Sequence, residues 1–420
     1  MEGENWKGLF LGFVLLFITN LTAHSKELYV CPSCSFKTIK EALRVAKAGD
    51  TIRVKGGTYA EGTLVVNKSL SLVGEDYPLL DGRGKYEVLR ITADNVVVEG
   101  FRIANSGRSD IEDIAGIKVE NVKGCVIRKN ILKDNFWAIY LAGVEECRVE
   151  GNRIEGPFRV GEAYSGNGIH IWHSKRILLR GNYITGHRDG IYFEFVEDST
   201  IEGNVSENNW RYGLHFMFSH RDTYRDNIFR RNGVGVAVMY TKKVIMKGNR
   251  FEFNWGGASY GLLLKAIDDS IVENNIFYKN TAGVLMDECQ RITIKENDFV
   301  ENGWALRIWA NSMNNVIKLN NFLSNTFDVS TNSTQNPNLI KENYWSAYRG
   351  YDLNGDGYGD VPYRPVKLFS YIVENNPAAS VLIKSFFVKI LNLVEDTFPV
   401  VTSISISDRK PLMEAVRWKR

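Results

Sequence analysis

An Asn, any residue, then Ile or Phe: this pattern returns about every 22 residues through the middle of the chain. Its clearest copies begin at Asn152, Asn182, Asn227, Asn249, Asn275, Asn297 and Asn320. A second column is glycine followed by Ile, Leu or Val, at Gly116, Gly168, Gly190, Gly213, Gly235, Gly261 and Gly283. Repeats of this length mean a solenoid or an array. A unit rich in Val, Ile, Phe and Asn, with no helical period, predicts an all-β chain: a right-handed parallel β-helix.

The spacing is regular on one side only. From the glycine column to the next Asn the separation stays at 14, as in 168 to 182, 190 to 204, 213 to 227 and 235 to 249. From Asn back to the glycine column it is 8 for 182 to 190 and 227 to 235, but 16 for 152 to 168 and 12 for 249 to 261. Insertions therefore leave the coil at one corner, and insertions on one face of a solenoid often mark its binding face.

The Asn column has a structural reason. Amides stacked along the axis hydrogen-bond to one another and satisfy polar groups at a tight inward turn. After each column glycine the first and third residues are apolar while the second and fourth vary, as a strand with one buried face requires.

The chain has 420 residues, long for one compact domain, but repeat folds grow along their axis. Its net charge of +3 gives no electrostatic case for nucleic acid. Leu9 to Ala23 is an apolar run too short to span a bilayer comfortably. Ala23, His24 and Ser25 make a small-x-small cleavage site, so residues 1–25 are expected to be a secretory signal peptide, with an uncleaved anchor as the alternative.

Five cysteines would remain in the mature protein. Cys31 and Cys34 form a CxxC; export favours a local disulfide over a redox catalyst, and a metal pair is the third reading. Cys125 and Cys147 lie one coil apart in one column and are expected to stack as small hydrophobes.

The organisation follows. Residues 38–47 have helical spacing and would cap the amino-terminal end of the solenoid. The capped β-helix is expected over 26–345, its coils running to about residue 330 and the pattern breaking near Asn343. A calcium-loop-like segment spans 346–365, and 366–420 would be a helical tail whose apolar part runs from Pro377 to Leu393.

Two constellations suggest metals. Five of the six histidines fall between 170 and 220. The second residues after the column glycines, which should face outward, include His170, Tyr192, His215 and Ala237; the fourth include Trp172, Glu194, Met217, Met239 and Lys265. His215 and Met217 thus share one outer face, Met239 lies one coil on, and His170 lies two coils back. Exposed Met beside His is unusual, and thioether plus imidazole suits Cu(I). The bland alternative is an apolar patch for protein contact. The insertions at 153–167 and 250–260 would wall this patch. Separately, Asp352, Asn354, Asp356 and Asp360 stand at oxygen-donor positions of an EF-hand-like loop, with Gly357 at the sharp turn; position 12 is Tyr363, so the bidentate Glu is missing. A structural Ca²⁺ site and a plain acidic turn are the two readings.

Many parallel β-helices act on polysaccharides, using clustered carboxylates. The outward columns here offer Glu120, Glu194 and Asp287, widely spaced, with Asp189 and Asp198 nearer the corners. This argues against a polysaccharide lyase or epimerase, which remains the competing function.

The segments IKEALRVAKAGDTIRVKGGTYAE, GNGIHIWHS, RDGIYFEF, YGLHFMFS, VGVAVMYTKK, YGLLLK and NYWSAYRGYDLNGDGYGDVPYRP, in that order, give a resemblance to the NosD family. The resemblance covers nearly all of the mature chain. It implies an exported, periplasmic or extracytoplasmic accessory protein rather than an enzyme. NosD proteins dock on an ABC transporter of ATPase and permease, and contact the membrane only through the permease. They help assemble the copper–sulfur centre of nitrous oxide reductase, with a copper chaperone and the reductase as partners. Carried over, His215, Met217 and Met239 become the candidates for handling Cu(I) as cargo, with His170 secondary, and the tail from Pro377 to Leu393 becomes the dock onto the permease. The CPSC motif and the weakly basic amino terminus depart from the family pattern.

Overall fold

The computed structural model describes residues 25–109, 111–157, 165–382, 385–397 and 406–417. Residues 1–24 of the expected signal peptide and residues 158–164 of the first insertion lie outside the described residues.

The chain winds as a right-handed parallel β-helix of three sheets with fourteen, twelve and thirteen strands, every pairing parallel and joining one coil to the next. The twelve-stranded sheet carries the longest strands, among them Val234–Lys242 and Tyr260–Asp268. Coils continue to Leu339–Lys341 and Tyr344–Trp345, past residue 330, to which they were expected to run.

The Asn column forms a ladder inside one corner. Asn249 Oδ1 accepts from Asn227 N–H at 3.1 Å and from Asn227 Nδ2 at 3.0 Å, while Asn249 Nδ2 donates to Tyr224 O and Asn275 Oδ1, both at 3.0 Å. Each amide is fully used, which is what a buried polar group needs. The residue before the Asn turns the corner at positive φ, as Gly203 (62°) and Gly248 (67°) do. Behind the ladder the third residue of the motif stacks through the core: Phe251, Phe277, Phe299, Phe322 and Trp345 lie 4.7, 4.8, 4.9 and 4.1 Å apart in succession.

A second ladder stands five residues after the first, through Asn209, Asn232, Asn254, Asn280, Asn302 and Asn325. His187 occupies one of its slots and donates its backbone N–H to Asn209 Oδ1 at 3.1 Å.

The expected capping helix is α1 (Ile39–Val45), started by a Thr38–Glu41 capping box and burying Ile39, Ala42 and Leu43 over the first coils. Cys31 and Cys34 are joined as a local disulfide. Cys125 and Cys147, expected to stack unbonded, are instead joined: in-register neighbours on successive coils bring their Cα atoms to 4.5 Å.

The tail is not one helix. It comprises α2 (Leu368–Asn375), a 3₁₀ turn (Pro377–Leu382) and α3 (Phe386–Thr397). α2 lies on the outer face of the twelve-stranded sheet. Phe369 packs near Phe327, and Glu374 accepts from Arg307 Nη2 at 2.6 Å and Trp309 Nε1 at 3.2 Å. Val381, Phe386, Phe387 and Leu393 stay exposed. Residues 406–417 return to the carboxy-terminal end of the solenoid, where Leu412 N–H reaches Asn343 O at 2.9 Å.

Candidate metal site

The columns inferred from spacing exist. On the twelve-stranded sheet His170 pairs with Tyr192, Tyr192 with His215 and His215 with Ala237. Beside them Trp172 pairs with Glu194, Glu194 with Met217, Met217 with Met239 and Met239 with Lys265. One imidazole and two thioethers therefore occupy two adjacent strands. His170 sits two strands from His215, roughly 9–10 Å away at ordinary strand spacing, with Tyr192 between.

The histidines are not exposed as expected. His215 is 4% exposed and His170 is 8% exposed. The column glycine interrupts the simple alternation, so the residue before it shares the outer face with the second residue after it. Tyr212 thus lies against His215, ring centroids 4.5 Å apart, and Asn167 Nδ2 lies 3.1 Å from His170 Nδ1. Tyr192 covers the other side of His215 at 4.9 Å, and His170 is sandwiched between Tyr140 at 4.9 Å and Tyr192 at 4.7 Å. Burial, with the Arg188 cation adding to it, pushes the His170 imidazole down to about 3, so it is neutral in any physiological medium.

The thioethers are half-buried and remain reachable. The Tyr192 hydroxyl donates to Met217 Sδ at 3.5 Å. Burial pushes the Tyr192 phenol up to about 12. Met239 neighbours Lys265, whose ammonium is 3.5 Å from Asp287.

Spacing put Asp189 near a corner but did not bring it to His215. Its carboxylate is fully buried, with Oδ2 at 3.8 Å from His215 Nδ1 and Oδ1 at 3.6 Å from Arg211 Nε. Neither oxygen of Asp189 and neither ring nitrogen of His215 makes a hydrogen bond.

The corner after Met217 and Met239 carries a second feature the column reading passed over. His173, Phe195, Phe218 and Tyr240, each five residues after a column glycine, stack on successive coils at 4.6, 5.3 and 5.1 Å, nearly parallel. All four have φ between 44° and 55°, a region bulky residues avoid. Because each ring covers the next, the strip offers ring edges rather than faces. A groove of about 600 Å³ runs beside it, with Glu145, Lys175, Glu197 and His220 along the lining.

In the Asp352 loop the candidate oxygens accept hydrogen bonds from the loop's own backbone. Asp352 accepts from Gly355 N–H at 2.7 Å and Gly357 N–H at 2.8 Å, Asp356 from Tyr358 N–H at 2.9 Å, and Asp360 from Leu353 N–H at 2.7 Å. Asn354 Oδ1 accepts from Asp356 N–H at 2.9 Å. Position 12 is Tyr363, and the loop closes on its own backbone. Among the described residues no group of three or more His, Cys, Asp or Glu stands ready to hold a metal.

Two family models match the chain: "Periplasmic copper-binding protein (NosD)" over residues 157–358 and "Right handed beta helix region" over residues 47–184. A Pseudomonas aeruginosa protein named "Probable ABC transporter binding protein NosD" is 33% identical over 375 residues, 85% of this chain and 86% of that one. A protein of the same name from Stutzerimonas stutzeri is 30% identical, with 86% of each chain covered. Among solved structures, the catalytic unit of a GH87 α-1,3-glucanase from Streptomyces thermodiastaticus superposes with a TM-score of 0.60 at 12% identity, over 74% of this chain and 67% of that one, a likeness of fold.

Proposed function

The chain belongs to the NosD family, and on that footing we propose that it is a periplasmic, ABC-transporter-associated protein that binds Cu(I) and passes it on during assembly of the copper–sulfur centre of nitrous oxide reductase. The observation that carries the reading is the pairing of Met217 with Met239 on the strand beside His215. Two thioethers and an imidazole form a soft donor set that favours Cu(I) over Zn²⁺ or Ca²⁺. Copper here is cargo: half-buried sulfurs on an open sheet suit release better than a closed cage.

The partners in this reading are the transporter's permease and ATPase, a copper chaperone and the reductase. Exposed Phe386, Phe387 and Leu393 on α3 supply an apolar face for the permease. No helix among the described residues is long and apolar enough to cross a membrane. Export through residues 1–25 completes the proposal. The carbohydrate-active alternative finds little support in the corner ladder, whose ring faces are covered by one another and offer sugars no stacking platform.

The test is Cu(I) titration of the purified chain against a competing chromophoric chelator, repeated on Met217→Ala with Met239→Ala and on His215→Ala. Stoichiometric binding that disappears in the double methionine variant, with an unchanged circular dichroism spectrum, is the expected result. Equal affinity in wild type and double variant would remove copper handling from this sheet.

A further inference from the structure

We propose that Asp189 is a positioning residue that holds His215 as the Nδ1–H tautomer, so that Nε2 is the atom that meets Cu(I). The inference rests on the copper reading above and adds the residue that makes its imidazole competent.

A carboxylate carries acceptors only. Asp189 Oδ2 faces His215 Nδ1 at 3.8 Å, so the proton of a neutral ring is favoured on Nδ1 and the lone pair is left on Nε2. Arg211, at 3.6 Å from the other oxygen, balances the carboxylate's charge. The Arg211 guanidinium is itself placed over the Tyr212 ring at 4.9 Å, and Tyr212 packs against His215. A fully buried carboxylate beside a buried ring, both lacking hydrogen bonds, is costly to keep and calls for a reason. A ligand at Nε2 supplies one: coordination makes Nδ1–H a stronger donor, and the 3.8 Å gap closes to a hydrogen bond. Carboxylates that orient metal-binding histidines in this way are a general device.

His170 makes the contrast. Its Nδ1 faces the amide of Asn167, which can either donate or accept and so imposes no tautomer by itself. Asp189 stands on the Tyr192 coil, one coil before His215, and the residues next in register with it are Tyr212 and Val234, neither of them acidic.

The experiment uses the full metal-free chain labelled with ¹⁵N-histidine at pH 8, with His215 assigned by comparison with His215→Ala. The expected result is Nδ1–H in the wild type, the same tautomer in Asp189→Asn, whose amide oxygen still accepts, and a shift toward Nε2–H in Asp189→Ala. His170 should be unchanged throughout. Chelator competition should then show Cu(I) affinity roughly 10–100-fold weaker in Asp189→Ala and largely restored in Asp189→Asn. A wild-type His215 that is Nε2–H or doubly protonated overturns the proposal, as does equal affinity in Asp189→Ala. Failure of the wild type to bind Cu(I) would defeat the copper reading, while the tautomer result would still decide what Asp189 does to His215.

Discussion

Asp408 fills the slot beyond Asn343 that the next asparagine of the ladder would occupy. Its Oδ2 accepts from Asn343 N–H at 2.9 Å, Asn343 Nδ2 at 3.2 Å and Trp345 Nε1 at 3.0 Å, while Oδ1 accepts from Glu342 N–H at 3.0 Å. The last rung of a donor-to-acceptor ladder needs a group that only accepts, and a carboxylate is one. Asp408→Ala should therefore lower unfolding free energy by about 3 kcal/mol or more, because several buried donors are orphaned at once. Asp408→Asn should cost less. A urea midpoint for Asp408→Ala equal to wild type would contradict the capping role.

Glu374 clamps the tail to the sheet. It accepts from Arg307, Trp309 and Ser330, and both partners of its ion pair are largely buried. Removing one member of such a pair costs about 3–5 kcal/mol. The loss here should be local, so Glu374→Ala is expected to expose α2 and α3 to limited proteolysis while the coils stay intact. An unchanged cleavage pattern would show that Phe369 and its apolar neighbours hold the tail unaided.

The corner ladder balances strain against stacking. Phe195 and Phe218 adopt a left-handed backbone that Asn tolerates better, yet each gains stacked neighbours worth about 0.5–1.5 kcal/mol per pair. Phe195→Asn with Phe218→Asn should change stability by less than about 2 kcal/mol. Thermal unfolding provides the check. A much larger loss would make the strip a folding element instead of a surface kept for contact.

His187 brings pH dependence. Complete burial pushes its imidazole down to about 4. The folded state thus disfavours the protonated ring, and its contribution to stability is intact above about pH 6.5 and lost as pH falls toward 4, at about 1.4 kcal/mol per unit. Burial raises Asp328 to about 7 and raises Asp222 as well, which acts in the opposite sense. Comparing two proteins isolates the histidine: His187→Asn, the residue found in neighbouring slots, should lose less stability between pH 7 and 4.5 than wild type does. Parallel stability-versus-pH curves would rule this out.

Much of this was legible beforehand because period and burial are coupled. A fixed separation of 14 between glycine and Asn placed His215, Met217 and Met239 in their true columns. The second ladder was equally written in the chain, five residues after the first, but His187 and other exceptions blur it. The contact of Asp189 with His215 stayed hidden for a different reason. Counting outward positions forward from the column glycine skips the residue before it, and the glycine is where alternation breaks. The burial of His215 depends on Tyr212, Tyr192 and Ala237 from three coils, a sum no single repeat shows. Asp408 was beyond reach because nothing in its own neighbourhood resembles the ladder it completes.

A column of parallel strands is a template that invites another copy to add at either edge. Here α1 stoppers one edge and residues 406–417 the other. Growth is blocked at both poles, so any visitor has to board from the flank, and the flank is where the sulfur and the aromatic edges lie.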